Sequence, residues 1–194
     1  NGNTSFGFVG NPEYLKQYEG TTEEQLRALI ASEPKTKDRF AGAEMVFDPE
    51  YIAGYSIAVN RLYDEGYVLT GNSTEFLDPV FSAGVTFATE SGIAAGKLAS
   101  KKLKGEAVDW DKEYVDVIVH GVETFRTYIE GWYNGDLHEI FFSDQVDQSI
   151  KEKICSVLAG YVWDFSNPFV ARHEQSVKNL ANFLAKKNEK ETTS

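Results

Sequence analysis

Apolar positions change their spacing once along this chain. Before about residue 70 they alternate or fall in short runs, and beyond residue 83 they recur every three or four positions. The first regime predicts strands over residues 4–9, over 55–61 (YSIAVNR) and over 67–70 (YVLT), with Asp64-Glu65-Gly66 as the turn between the last two. Short helical pieces are expected near Glu13–Tyr18, behind Pro12, and over Lys35–Phe40. Between them, Thr21 or Thr22 caps a helix (TEEQLRALIASE) whose first-turn acids complement the helix dipole, and Pro34 stops it.

The second regime predicts four long helices. Residues 83–104 carry Ala88, Gly92, Ala95 and Ala99 on one nearly bare face, suited to close packing, and Gly105 follows as the stop. Residues 111–133 place Val115, Ile118, Val122, Phe125, Ile129 and Trp132 on a single stripe. Residues 144–160 repeat the pattern with Val146, Ile150, Ile154, Val157 and Tyr161. Residues 168–187 start at Asn167-Pro168 and carry Val170, His173, Val177, Leu180 and Leu184, and the charged tail from Lys186 is expected to fray. The fold class is therefore α+β and helix-dominated, with a few short, mainly antiparallel strands in the first 70 residues and four long helices after them.

Composition narrows the function classes. With 194 residues, 42% of them apolar and 25% charged, the chain can build a real core as one domain or as pieces of two. It has no apolar run near 20 residues. A net charge of −11 argues against nucleic acid or an anionic membrane as partner, because both need clustered Lys and Arg. Cys155 is the single cysteine, so no internal disulfide can form, and a cytoplasmic location is the expectation. The chain opens at Asn1 without Met, and Asn1-Gly2-Asn3 followed by a strand reads as the tip and returning half of a hairpin. The expectation is a C-terminal fragment of something longer.

Common catalytic patterns are absent. His120, His138 and His173 sit in no metal-ligand spacing, and His173 on an apolar stripe is expected to be a packed helix histidine. Ser82 lies where a strand leads into a helix, but Val80 stands where a nucleophile elbow needs Gly, so Ser82 is expected to act as an N-cap. Neither phosphate-loop nor dinucleotide glycine patterns occur.

What remains is the connection GNSTEFLDPVFSAGV, residues 71–85, which is longer than a plain strand-to-helix link requires. The free N–H groups at Ala83, Gly84 and Val85 of its helix start, flanked by the small Ser82, favour an anion or a developing negative charge. Asp78-Pro79 would fix the loop's direction, and Phe76 and Phe81 would pin it to the core or wall a ligand. The residues alone leave two readings open, a well-capped helix start or an anion site.

Residues 67–97, YVLTGNSTEFLDPVFSAGVTFATESGIAAGK, resemble the second flavin motif of the flavin-dependent halogenase and monooxygenase superfamily. That group includes tryptophan-halogenase-like and geranylgeranyl-reductase-like proteins. The likeness rests on Phe76, Asp78-Pro79, Phe81-Ser82, Gly84-Val85 and the Ala/Gly-rich helix behind them. Residues 2–10 also resemble a strand of the family's substrate domain. The resemblance implies FAD contacts at Gly71, Asn72, Asp78, Pro79, Gly84 and Val85, and halide contacts at Ser82, Ala83 and Gly84. It further implies no catalytic residue in this chain, since the family's dinucleotide motif, catalytic Lys and W-x-W-x-I-P motif lie upstream of such a segment. The division it suggests is 1–63 as a remnant of the substrate-binding domain, 64–105 as the last piece of the FAD-binding domain and 106–194 as a C-terminal helical region.

By this resemblance the intact protein is an FAD-dependent halogenase or monooxygenase using reduced flavin and O₂ on an aromatic or carrier-bound substrate, with a separate flavin reductase as partner. The fragment alone is then expected to be inactive, to hold little or no FAD and to dimerise through former interface surface. The alternatives are a prenyl-chain reductase and, in another class, a non-catalytic helical binding module. Five positions depart from the family pattern, among them Ser73 and Thr74, which with Glu75 replace small residues. Asn72 replaces an Asp but keeps an acceptor, Ala83 replaces a hydroxyl residue, and Glu75 brings a carboxylate toward a region built for anions.

Overall fold

The structure is a computed structural model that describes the backbone of residues 2–192 and the side chains of residues 2–188. It is helix-dominated, and it divides into two compact units, residues 1–55 and 56–194.

In the first unit, α1 (Pro12–Leu15), α2 (Thr22–Ser32) and α3 (Lys37–Phe40) are joined by irregular chain. Thr21 caps α2 in a reciprocal box: its Oγ1 accepts from the Glu24 N–H while Glu24 Oε2 accepts from the Thr21 N–H at 2.7 Å. Residues 2–10 form no strand. No neighbouring strand offers them a ladder, so this segment is held by side chains instead, with Phe6 against Phe8 and Phe40 at ring separations of 5.3 and 4.8 Å. Asn1, the first residue of the expected hairpin tip, lies outside the described residues. Phe6, Phe8, Leu26, Phe40, Met45 and Tyr51 are among the residues that line an open cavity of about 790 Å³ in this unit.

The second unit holds the main core. The turn at Glu65-Gly66, with Gly66 at φ +87°, joins β2 (Tyr63–Asp64) to β3 (Tyr67–Val68) as a tight antiparallel hairpin. The strand expected over 55–61 is reduced to β1 (Ile57–Ala58), and its partner is β4 (Glu75–Phe76), inside the long loop, rather than residues 67–70. Residues 62–64 take the place beside β3, so β1 must pair further along the chain.

α4 (Gly84–Leu103) buries Phe87, Ser91, Ala95 and Leu98, whereas Ala88 and Gly92 on the small-residue face stay exposed. One π-helical turn, Asp111–Val115, runs directly into α5 (Asp116–Asn134). α5 is the central element and buries Ile118, Val122, Phe125 and Ile129 of the expected stripe, with Tyr128 beside them, while Val115 and Trp132 are half-buried. Gly135, at φ +96°, ends α5 and starts α6 (Asp136–Phe142), a helix the spacing did not reveal. The next helix is shorter than 144–160: Asp147 caps α7 (Gln148–Leu158). The last is split at Arg172 into α8 (Pro168–Ala171) and α9 (His173–Thr192). α9 is helical through Thr192, well past the point at Lys186 where fraying was expected. No helix of the described residues is long and apolar enough to cross a membrane.

Candidate functional site

The loop of residues 71–84 is built from four short devices. Gly71–Ser73 makes one 3₁₀ turn, closed by the Thr74 N–H and Thr74 hydroxyl, which both donate to the Gly71 carbonyl at 2.9 and 2.7 Å. Thr74 is almost fully buried to do this. β4 follows. Asp78 then makes an Asx turn, its Oδ1 accepting from the Val80 N–H at 2.8 Å. Last, the Ser82 N–H donates to the Pro79 carbonyl at 3.0 Å, and Ser82 takes φ +55°, the one non-glycine residue with positive φ among those described.

Ser82 is therefore not the N-cap. The cap position belongs to Ala83, which makes no side-chain cap bond. Its methyl group points into the core and its carbonyl accepts the first helical bond, from Phe87. A helix starting this way leaves the N–H groups of its first turn, Gly84, Val85 and Thr86, without intrahelical acceptors. Val85 is 78% exposed. Asn72 lies over the same point, since a Cβ added to Gly84 would sit 3.3 Å from Asn72 Oδ1.

Asn72, Ser82, Gly84 and Val85 thus lie at the start of α4, Gly71 lies against Ala88 and Ser91 further along the same helix, and Pro79 is exposed on the turn that leads to its start. Asp78 supports that turn, and its second oxygen accepts from the Tyr133 hydroxyl at 3.1 Å. Phe81 packs edge-on against Trp132 at 5.7 Å, so it pins the loop to the core. Glu75 does not face the helix start. It pairs with Arg126 on α5, which also holds Glu123 at 3.3 Å. Burial works against the Arg126 charge, and the two carboxylates more than offset it, so its pKa stands above the ordinary arginine value.

Several supports went unseen in the sequence. Ser91 Oγ accepts from the Gly71 N–H, Tyr114 donates to the Leu69 carbonyl, and Arg126 and Tyr133 bind the loop's two acids. Only the i, i+7 spacing of Arg126 and Tyr133 on one helix could have signalled the last pair. Of the three histidines, His138 reaches the loop through Trp132 and Phe81. His120 and His173 pack against each other at 5.9 Å, and His138 lies against Trp132 at 4.2 Å. Among the described residues no group of three or more His, Cys, Asp or Glu side chains could hold a metal ion.

No family model matches the chain. Among curated proteins it is similar to a 1H-pyrrole-2-carbonyl-[peptidyl-carrier protein] brominase of Pseudoalteromonas luteoviolacea, 27% identical over 68% of this chain and 32% of the relative. It is also similar to the corresponding chlorinase of Pseudomonas fluorescens, 27% identical over 82% of this chain and 36% of the relative. A third is the flavin-dependent halogenase gsfI of Penicillium aethiopicum, 29% identical over 57% of this chain and 22% of the relative. The chain is related to the flavin-dependent halogenases. The halogenase-like chain also superimposes on a solved flavoprotein/dehydrogenase from Cytophaga hutchinsonii, with a TM-score of 0.87 and 50% identity over 92% of this chain and 44% of that one. The helix-dominated α+β arrangement is therefore that of part of a flavoprotein. The chain spans about a third of the length of the first two curated relatives.

Proposed function

We propose that this chain is part of an FAD-dependent oxidoreductase of the halogenase/monooxygenase type, and that residues 71–85 are its contribution to the flavin site. The observation that carries the reading is the start of α4. There the first-turn N–H groups meet at one point beside a residue without Cβ, Gly84, with Asn72 Oδ1 at its side. That donor set suits the electron-rich edge of a reduced flavin. Both nearby carboxylates are turned away from it, Glu75 into Arg126 and Asp78 into Val80 and Tyr133.

Within this reading Asn72, Gly84 and Val85 hold and orient the flavin through backbone and amide groups, and Gly71, whose N–H and carbonyl are taken by Ser91 and Thr74, sets the turn that carries Asn72. Asp78 and Pro79 fix the turn beside it. Ser82, Ala83 and Gly84 offer a small-residue rim for a halide, with the Ala83 methyl directed inward. Bound flavin supplies the redox chemistry, passing electrons to O₂. The catalytic Lys is assigned to the remainder of a longer protein, and residues 64–105 to that protein's flavin domain. Residues 1–63 are assigned to its substrate domain, in which the aromatic cavity near Phe6 and Phe40 would take part in holding an apolar substrate. The brominase and chlorinase relatives are named for a pyrrole-2-carbonyl group on a peptidyl carrier protein. A carrier-bound aromatic substrate is accordingly the class proposed here, with reduced flavin delivered by a separate reductase and all components in the cytoplasm.

The test is purification of the intact protein that contains this sequence. It should carry the visible absorption of oxidised flavin, and with a flavin reductase, O₂ and halide it should add a halogen mass to a carrier-bound aromatic acyl group. Colourless protein that takes up no added FAD would overturn the reading. Oxygenated product that is independent of halide would reassign it to a monooxygenase.

A further inference from the structure

The two acidic side chains of the loop, Glu75 and Asp78, are both held by α5. Arg126 takes Glu75 and the Tyr133 hydroxyl takes Asp78 Oδ2. The pairs run in the same direction along both segments. Arg126 and Tyr133 are seven residues apart, about 10.5 Å along a helix axis, and seven residues is close to two full turns, so they share a face. Glu75 and Asp78 are three residues apart, about 10 Å in extended chain. The step along the helix therefore matches the step along the loop. Three residues beyond the second tie, Phe81 sets its ring against Trp132, the residue preceding Tyr133.

This register has an electrostatic consequence. The loop carries a carboxylate on each side of Leu77 and ends in a helix start that favours negative ligands. An untied Glu75 or Asp78 would place like charge near that ligand. Arg126 neutralises the first, and the Tyr133 hydroxyl holds the second while its other oxygen closes the turn at Val80.

We propose that Arg126 and Tyr133 are positioning residues: α5 acts as a rail that sets the conformation of residues 75–82 and keeps their carboxylates off the α4 start. The consequence for flavin rests on the reading of that helix start as part of a flavin site.

The experiment has two arms. In the first, amide hydrogen exchange is read on the 194-residue chain as wild type, Tyr133→Phe and Arg126→Gln. Exchange at Val80 and Ser82 should speed up about fivefold or more in Tyr133→Phe, the scale of one lost hydrogen bond. The buried helical amides near Tyr128 should not change. Unchanged exchange at Val80 and Ser82 overturns the rail. In the second arm, flavin content and the visible flavin band are read in the intact protein with the same substitutions. Both variants should bind flavin more weakly, by more than any fall in the thermal midpoint from the lost hydrogen bond or ion pair accounts for. Faster loop exchange with unaltered flavin affinity and band shape would reduce the ties to structural props and overturn the positioning role. A wild-type protein that binds no flavin would instead remove the flavin reading, and the first arm would then decide the rail alone.

Discussion

The backbone N–H of Gly71 donates to the hydroxyl of Ser91 at 2.8 Å, and that hydroxyl donates onward to the Phe87 carbonyl one turn earlier in α4. The pair locks the first residue of the loop to the middle of the helix whose N-terminus the loop leads into. Both residues are buried. Ser91→Ala removes the acceptor and strands a buried N–H, which costs about 1–3 kcal/mol. Gly71→Ala meets two penalties at once. Gly71 has φ +57°, where a Cβ costs about 1–2 kcal/mol. The added Cβ would also lie 3.1 Å from the Ala88 Cβ. Chemical denaturation should show both variants destabilised, Gly71→Ala the more of the two, since the new atom also meets the Ala88 Cα at 3.2 Å. A Ser91→Ala midpoint equal to wild type would show that the loop's first turn is not held this way.

Glycine-to-alanine changes should have opposite signs at two helical positions. At Gly121 on α5 a new Cβ would lie 2.5 Å from Trp163 Cζ2, and Trp163 is held in place by its Nε1–H donating to the Val117 carbonyl at 2.7 Å. Overpacking of this kind costs about 1–3 kcal/mol, more than the roughly 1 kcal/mol gained in helix propensity. Gly121→Ala should therefore destabilise. At Gly92 on α4 nothing lies within 4 Å of the new atom, so Gly92→Ala should stabilise by about 0.5–1 kcal/mol. Paired denaturation curves check the sign of each.

Much of this architecture could be read from residue order where a single local rule was sufficient. The Thr21–Glu24 box, the stripe of α5 and the start of α8 at Asn167-Pro168 all follow from contacts within one or two turns. The misses share another cause. Residues 4–9 have the composition of a strand, but a strand needs a partner and this unit supplies none. β1 pairs with β4 across the sixteen residues 59–74, in a sheet separate from the β2–β3 hairpin, so the pairing is not local. The split at Arg172 and the seven-residue α6 fall below the length at which a period can be recognised. At the site, a helix start near residue 84 led by small residues was legible, but its cap was expected at Ser82 and lies at Ala83, because the positive φ of Ser82 depends on the turn before it. The burial of Thr74 and the turning of Glu75 onto Arg126 depend on α4 and α5 and were not legible.

The two half-buried histidines give a pH dependence with a defined sign. His120 lies against Phe165 at 4.7 Å, and His173 Nδ1 shares a hydrogen bond of 2.7 Å with the Thr127 hydroxyl. Burial, and then the neighbouring His173, hold the His120 pKa below the ordinary value. Burial does the same to His173, against partial opposition from Glu174 and Glu123. A lowered folded-state pKa means that the unfolded chain takes up protons first. The stability contribution is thus fully present above the unfolded value of about 6.5 and is lost as pH falls from there through the folded values. The carboxylates with lowered pKa, Glu24, Asp64, Glu113 and Asp147, act only in a lower window, near and below about 4. The thermal midpoint should therefore drop between about pH 6.5 and 5, and the drop should shrink in His120→Gln and His173→Gln. A midpoint flat across that interval would contradict the burial argument.

Gly84 separates ligand approach from stability more cleanly than any other loop residue. It is the first residue of α4, only half buried, with ordinary negative φ, so a side chain there is no burden on the helix itself. An added Cβ meets a single neighbour, Asn72 Oδ1 at 3.3 Å, and that side chain is exposed and free to swing aside. Gly84→Ala should leave the denaturation midpoint within about 0.5 kcal/mol of wild type, as for other exposed substitutions. Gly84→Val goes further and covers the N–H groups that an anionic edge would approach. In the intact protein, flavin affinity should fall stepwise from Gly to Ala to Val, by about tenfold or more at Val, equivalent to 1.4 kcal/mol. Full flavin occupancy in Gly84→Val at normal stability would place the flavin elsewhere and leave the start of α4 as a plain helix end.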